Sequence, residues 1–516
     1  MAGTLTQSRA EDIGHEATKR PLENPNAAAS DGYIQKVYGP HTIAILDEGA
    51  AALQSRLDMI DRAQKSITLE TMIFHADRSG CLILSALVKK AKEMKLQGKP
   101  FSVRLLLDNR PQGANINLAF QRQLAEVGIE LRYYNAEPTK TTLQINHRNH
   151  KKTFVIDGDD DGGEMILGGR NVSDDYFDLN AHFNFVDTDL QVKGPAVKTV
   201  QKIFNRYWNS PFASKNAPDL TEVDLDIRGK LPHPLEQLPI IPTIVEQGAA
   251  LGRFEQDVLR AQRAQVAQSC LNPNPQKDSL RASIQAKAAH TLKDQRSTQA
   301  DVLIVASDNP DWQRTEARLG AQLYGMIKNA KQSVLIENPY FIPLEAETEI
   351  FRSKIKSGTK VDLLINDVSS SDEFATATVA MRSAKSLAAM GGNVRLFKGN
   401  PQTRRVGQTY YDDASKWGTH SKVMIVDGKD AYVGSGNFDP RSIERINAEI
   451  GLIVPDNPAF AQSLTESIQA RQKESRKLEM KKQSAFSEKV EEVWENTPVN
   501  WSSLRVLILE MFKNQS

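Results

Sequence analysis

The chain has 516 residues, 40% hydrophobic and 25% charged, an ordinary globular mixture that excludes a disordered or fibrous protein and leaves room for two or three domains. Lys and Arg number 65 against 64 Asp and Glu, so no global field draws the chain to nucleic acid or acidic lipid, and any such attraction must be local. The two cysteines, Cys81 and Cys270, make neither a disulfide framework nor a four-ligand zinc site and fit a reducing compartment, and no apolar run approaches the ~20 residues that span a bilayer.

Residues 1–31 are polar, carry Pro21 and Pro25, and lack the apolar core of a secretory signal. They are expected to be a tail. An internal duplication follows. Met59–Phe74 reads MIDRAQKSITLETMIF and Met326–Phe341 reads MIKNAKQSVLIENPYF, which place Glu70 opposite Glu337 and Phe74 opposite Phe341 at an offset of 267. Each copy reads as a helix end and a strand, then a second helix (Leu82–Met94; Glu345–Lys356) and a second strand (Val103–Leu107; Val361–Ile365). That alternation predicts α/β lobes with a mixed sheet, a first lobe over 32–213 and a second over 301–460. Between them, Pro232, Pro234, Pro239 and Pro242 mark a break, and 214–300 reads as a connecting insert of exposed helices interrupted at Leu271–Gln276. Residues 461–516 read as a helical tail. It includes the mixed-charge run Arg471–Lys482 and an apolar stretch, Trp501–Phe512, suited either to packing as a C-terminal helix or to lying on a bilayer surface.

The chemistry is concentrated in one repeated pattern. His150, Lys152 and Asp157 form H-x-K-x4-D, followed by Gly168-Gly169-Arg170-Asn171; His420, Lys422 and Asp427 repeat it, followed by Gly434-Ser435-Gly436-Asn437. One such match is expected by chance only ~0.04 times in a chain with this many histidines. Two at equivalent places in a duplicated chain form a designed pair of half-sites. Imidazole suits a phosphodiester substrate, because it is a neutral nucleophile that also titrates near neutrality. One histidine can attack phosphorus while the other protonates the leaving alcohol and then activates the acceptor. The lysines and asparagines would donate to the phosphoryl oxygens. Since one histidine cannot do both jobs at once, the site is expected between the lobes. The run Asp157–Gly162 matches the opening of a calcium loop, but its twelfth position is Gly168 rather than Glu, so a solvated hairpin tip is the better reading.

These motifs resemble the phospholipase D superfamily. NPYFIP (Asn338–Pro343), NFDPRS (Asn437–Ser442) and GGRNVSDDYF (Gly168–Phe177) resemble bacterial cardiolipin synthases without transmembrane helices. The resemblance implies a pseudo-twofold enzyme with no metal and no organic cofactor. It implies catalytic roles for His150, Lys152, Asp157, His420, Lys422 and Asp427, the aspartates holding the lysine and its loop. It also implies phosphate contacts from Asn171 and Asn437, and histidine-orienting carboxylates at Asp187 and Glu449, with Asp189 competing for the first of these places. Glu70 and Glu337 are either supports for the site or surface residues at strand ends. The order of roles, His150 attacking and His420 acting as acid, also comes from the resemblance. The expected function is phosphatidyl transfer at a membrane surface, with phospholipid partners and no nucleic acid. Hydrolysis to phosphatidic acid is the alternative and a nuclease the weaker one, since a nuclease needs a basic bias that this chain lacks. The expected location is cytoplasmic and peripheral to the inner membrane, with export without a cleavable signal as the alternative.

Overall fold

The computed structural model describes residues 33–108, 118–135, 147–215, 264–293, 295, 297–308, 310, 318–399, 416–443 and 447–479. The expected N-terminal tail and the Trp501–Phe512 stretch lie outside the described residues.

The first half contributes strands β1 (Ile34–Leu46), β2 (Ser66–Thr71), β3 (Ser102–Asp108), β4 (Ile129–Tyr134), β5 (Arg148–Asn149), β6 (Thr153–Ile156), β7 (Glu164–Gly168), β8 (Phe183–Val186), β9 (Asp189–Lys193) and β10 (Ala213–Ser214). The second half repeats the series as β11 (Ser297–Ser307), β12 (Ser333–Glu337), β13 (Lys360–Asn366), β14 (Asn393–Phe397), β15 (Lys416–Thr419), β16 (Val423–Val426), β17 (Asp430–Gly434), β18 (Asn447–Ala448), β19 (Ile450–Val454) and β20 (Ser475–Lys477). Sixteen of them form one mixed sheet in the order β10-β4-β3-β2-β6-β7-β9-β1-β11-β19-β17-β16-β12-β13-β14-β20. The order reads the same from both edges if each strand is exchanged with its repeat. The pseudo-twofold therefore passes between β1 and β11, an antiparallel pair running from Ile34↔Ala306 to Ala44↔Ser297 with one irregularity between Tyr38 and His41. The two expected half-sheets are thus joined edge to edge through the first strand of each.

Alternation along each strand supplies the layers. Leu105 and Leu107 of β3 pack into a core with helices α1 (Gly49–Arg62) and α2 (Arg78–Leu96), while Leu106 points to the other face. In β13, Leu363 and Ile365 pack toward α3 (Arg318–Asn329) and α4 (Glu345–Lys356), and Leu364 points oppositely. The opposite-facing residues of both halves share one core with two equivalent helices. The first, α5 (Ala196–Trp208), buries Val197, Val200, Phe204, Tyr207 and Trp208 at helical spacing; the second, α6 (Pro458–Lys473), buries Phe460, Ala461, Leu464 and Ile468. The expected boundary at residue 460 falls inside α6, which belongs to the second lobe rather than to a tail. Likewise β11 begins before the expected insert end at 300.

The helical insert is not simply exposed. Ala267, Cys270, Leu271 and Ile284 are buried in the first lobe's core. Cys81, in the first turn of α2, is disulfide-bonded to Cys270 across a sequence separation of 189 residues. The expectation that these two cysteines form no disulfide is corrected here. Folding the insert onto α2 brings together two side chains whose distance along the chain gave no sign of a pair. Closing so long a loop removes much chain entropy from the unfolded state. Reductant is expected to lower the melting temperature by roughly 5–10 °C and to have no effect on a Cys81→Ser/Cys270→Ser variant. Scanning calorimetry with a thiol count before and after reduction checks this.

Candidate active site

The site is built by two short ladders outside the main sheet, each joining one lobe to the other. β5 pairs in parallel with β18, matching Asn149 to Ala448, and the His150 amide donates to the Ala448 carbonyl at 2.9 Å. β15 pairs in parallel with β8, matching Thr419 to Val186, and the His420 amide donates to the Val186 carbonyl at 2.7 Å. The next residue along each partner is a carboxylate. His150 Nδ1 therefore meets both Glu449 oxygens at 2.9 Å, and His420 Nδ1 meets Asp187 Oδ2 at 2.6 Å. Each imidazole is held by the carboxylate of the opposite lobe. Asp189, the competitor of Asp187, instead pairs with Arg56 at 2.9 Å and Arg170 at 3.4 Å.

The lysines lie beside the rings. Lys152 Nζ donates to the His150 carbonyl at 2.6 Å; Lys422 Nζ donates to the His420 carbonyl at 2.5 Å and stands 3.0 Å from His420 Nδ1. His150, Lys152, His420 and Lys422 are all buried. Burial, reinforced by the lysine charges, pulls the His150 pKa down to about 4 against the pull of Glu449, and takes His420 well below its ordinary value. Burial likewise lowers Lys152 to about 7 and Lys422 to about 8. Burial pushes Glu449 up, but His150, Lys152 and the Ser435 hydroxyl outweigh it and hold the carboxyl below its usual range. Ser435 and Ser442 donate to the two Glu449 oxygens at 2.5 and 2.7 Å. Burial raises Asp187.

Glu70 and Glu337 are buried, not surface residues. Residues 149, 151 and 153 face away from the site onto Glu70, which accepts from Asn149 Nδ2 at 2.7 Å and pairs with Lys151 at 3.1 Å. Glu337 accepts from Thr419 Oγ1 at 2.6 Å and from Arg471 Nε and Nη2 at 2.8 and 2.5 Å. Each histidine strand thus rests on a buried ion pair. Lys151 comes from the motif itself, whereas Arg471 comes from α6, and no spacing in the sequence points to it.

The motif aspartates are corrected. Asp157 and Asp427 sit at the far ends of β6 and β16 from the histidines. Asp157 accepts the amides of Gln64, Lys65 and Ser66 at 2.9, 2.6 and 2.9 Å, and Asp427 those of Lys331, Gln332 and Ser333 at 2.9, 2.7 and 2.9 Å. Both adopt positive φ, 49° and 51°. They fasten the loop entering β2 and β12 and do not hold the lysines. The acidic hairpin after Asp157 is matched by Lys65 on Asp160 and Lys198 on Asp161. Among the described residues no group of three His, Cys, Asp or Glu side chains is placed to hold a metal ion, and no helix is long and apolar enough to cross a membrane.

Residues 57–208 and 323–471 match the family model described as cardiolipin synthase, PLD-like domain. The chain belongs to this family. The two matched segments contain both histidines, both lysines, both asparagines and both orienting carboxylates. Cardiolipin synthase C of Escherichia coli (strain K12) is 26% identical over 433 residues, covering 79% of this chain and 80% of the relative. Major cardiolipin synthase ClsA of Bacillus subtilis (strain 168) is 25% identical over 419 residues, covering 81% of this chain and 66% of the relative. The crystal structure of phosphatidylserine synthase from Haemophilus influenzae Rd KW20 superposes with a TM-score of 0.53 at 15% identity, covering 84% of this chain and 87% of that one. This likeness shows a shared fold.

Proposed function

We propose that the chain is a phosphatidyltransferase that makes cardiolipin-like products through a covalent phosphohistidine. The observation that carries this is the crossed arrangement of two imidazoles, each fixed at Nδ1 by a carboxylate and each flanked by a lysine. The order of roles, His150 attacking and His420 acting as acid, follows the resemblance to the family. Among the described residues His150 Nδ1 faces only the acceptor Glu449, which assigns its proton to Nδ1 and leaves Nε2 bare for attack. His420 Nδ1 faces the Asp187 carboxylate at 2.6 Å, with the Lys422 ammonium 3.0 Å away. We assign His420 the acid's role as an imidazolium whose Nδ1–H is held by Asp187 and whose Nε2–H serves the leaving group.

In the first step His150 Nε2 bonds to phosphorus, the phosphorus–oxygen bond to the headgroup breaks, and the leaving alkoxide takes the His420 proton. In the second, the acceptor hydroxyl gives its proton to His420 and bonds to phosphorus as the phosphorus–nitrogen bond breaks. The lysines neutralise the phosphoryl oxygens throughout. Phospholipid substrates place the site at a bilayer surface. A disulfide belongs in an oxidising compartment, and the Cys81–Cys270 bond favours the exported alternative over a cytoplasmic location.

Incubating the protein with phosphatidylglycerol vesicles and separating the lipids by mass tests the reading. Cardiolipin is the expected product, and an added primary alcohol is expected to divert product to the phosphatidyl alcohol. Phosphatidic acid as the sole product at every alcohol concentration would make the enzyme a hydrolase. The ratio kcat/KM is expected to rise with pH as His150 loses its proton near about 4. It is expected to fall as Lys152 and Lys422 lose their charges near about 7 and about 8. A pH series with a soluble short-chain substrate checks both limbs.

A further inference from the structure

The two half-sites share a topology and differ in chemistry. The step of 266 residues that carries Asn171 to Asn437 also carries Gly169 to Ser435 and Tyr176 to Ser442. In the second half-site both serine hydroxyls are committed to Glu449. Neither has a counterpart on Asp187. Gly169 has no side chain, and a Cβ there would lie 2.3 Å from Asp187 Oδ1. Tyr176 is turned elsewhere. Its ring stands edge-on to His420 with centroids 5.1 Å apart and an interplanar angle of 82°, and packs on Phe185 at 4.7 Å. Its hydroxyl accepts from Asn171 Nδ2 at 2.9 Å.

That contact changes what Asn171 can do. Its Oδ1 accepts from Thr71 Oγ1 and the Ile73 amide, both at 3.2 Å, so the side-chain amide is engaged at both ends within its own lobe. Asn437 differs, since its Oδ1 is buried with no protein partner among the described residues.

Building on the function proposed above, we propose that the Tyr176 hydroxyl, aimed by Asn171, is the phosphoryl-binding donor of the first half-site, opposite Asn437 in the second. A phenol oxygen that accepts an N–H still has its own proton to give, and among the described residues the hydrogen bond of this hydroxyl is the one it accepts from Asn171. The ring's contact with His420 sets this donor beside a group that acts at phosphorus. Burial holds the phenol far above its usual range, so it stays a neutral donor and does not compete with the histidines for protons. Charge gathering on the phosphoryl oxygens in the transition state would strengthen the contact, which raises kcat more than it lowers KM.

Tyr176→Phe keeps the ring against His420 and Phe185 and deletes only the hydroxyl. With orthovanadate as a phosphoryl mimic in calorimetric titration, Tyr176→Phe is expected to weaken binding roughly tenfold. On a soluble short-chain phosphodiester, kcat is expected to fall roughly 100-fold with KM changed less than about threefold. Asn171→Ala should lose a similar factor, and the double variant no more than either single one, because the two residues act in series. Asn437→Ala should multiply with Tyr176→Phe. An unchanged melting temperature for Tyr176→Phe excludes misfolding. Vanadate affinity and kcat within twofold of the parent protein would overturn the proposal, as would losses for Tyr176→Phe and Asn171→Ala that multiply. Vanadate binding that depends on Tyr176 in a protein that transfers no phosphatidyl group would support this donor while defeating the functional reading.

Discussion

His150→Ala and His420→Ala are each expected to lower kcat by about four to six orders of magnitude, the range found when one member of a catalytic unit is removed. The reason is geometric. The rings come from different lobes but are placed by the same pair of ladders, so neither can stand in for the other in the first displacement. The double variant is expected to be little worse than either single one, since losing one member already disables the unit. Steady-state kinetics on a soluble short-chain phosphodiester, with melting temperatures to show that the fold persists, reads this directly. A single variant that keeps more than a tenth of the parent turnover would contradict a paired site.

Glu449→Gln and Asp187→Asn are expected to cost roughly 10³-fold in kcat each, because a side-chain amide cannot fix the tautomer that a carboxylate fixes. The crossing makes the prediction specific. Glu449 lies in the second lobe but serves the first-lobe histidine, and Asp187 the reverse. A substrate with a good leaving group needs little protonation of that group. On a p-nitrophenyl phosphodiester, Asp187→Asn should therefore recover most of its first-step rate and Glu449→Gln should not. Recovery by Glu449→Gln instead would assign the carboxylates to the histidines of their own lobes.

The duplication made much of this legible. Matching Met59–Phe74 to Met326–Phe341 located β2 and β12 and marked Glu70 and Glu337 before their partners were known. Short apolar runs after the second helix of each copy located β3 and β13. What the repeat could not show is which copy touches which. An alignment of equivalent residues pairs Asp187 with Glu449, whereas the fold pairs each with the other's histidine through β8–β15 and β5–β18. Arg471 was hidden for a similar reason, being a helix-face cation whose role exists only once α6 packs against β12. Asp157 and Asp427 misled in the other direction. Their constant spacing from the histidines reflects a strand length and a loop anchor at its far end. Tyr176 and Ser442 were readable as equivalent positions from the offset alone, yet their divergence acquires meaning only from the hydroxyl contacts.

The central claim is that one lobe's histidine carries the phosphatidyl group while the other lobe's histidine moves protons. His420→Ala treated with a p-nitrophenyl phosphatidyl ester isolates the first half of that claim, since the leaving group departs without an acid and the acceptor then goes unactivated. A burst of one equivalent of nitrophenol is expected and, by peptide mass spectrometry, a phosphatidyl adduct on His150. No burst and no adduct on any histidine, while the parent protein turns the same ester over, would contradict it.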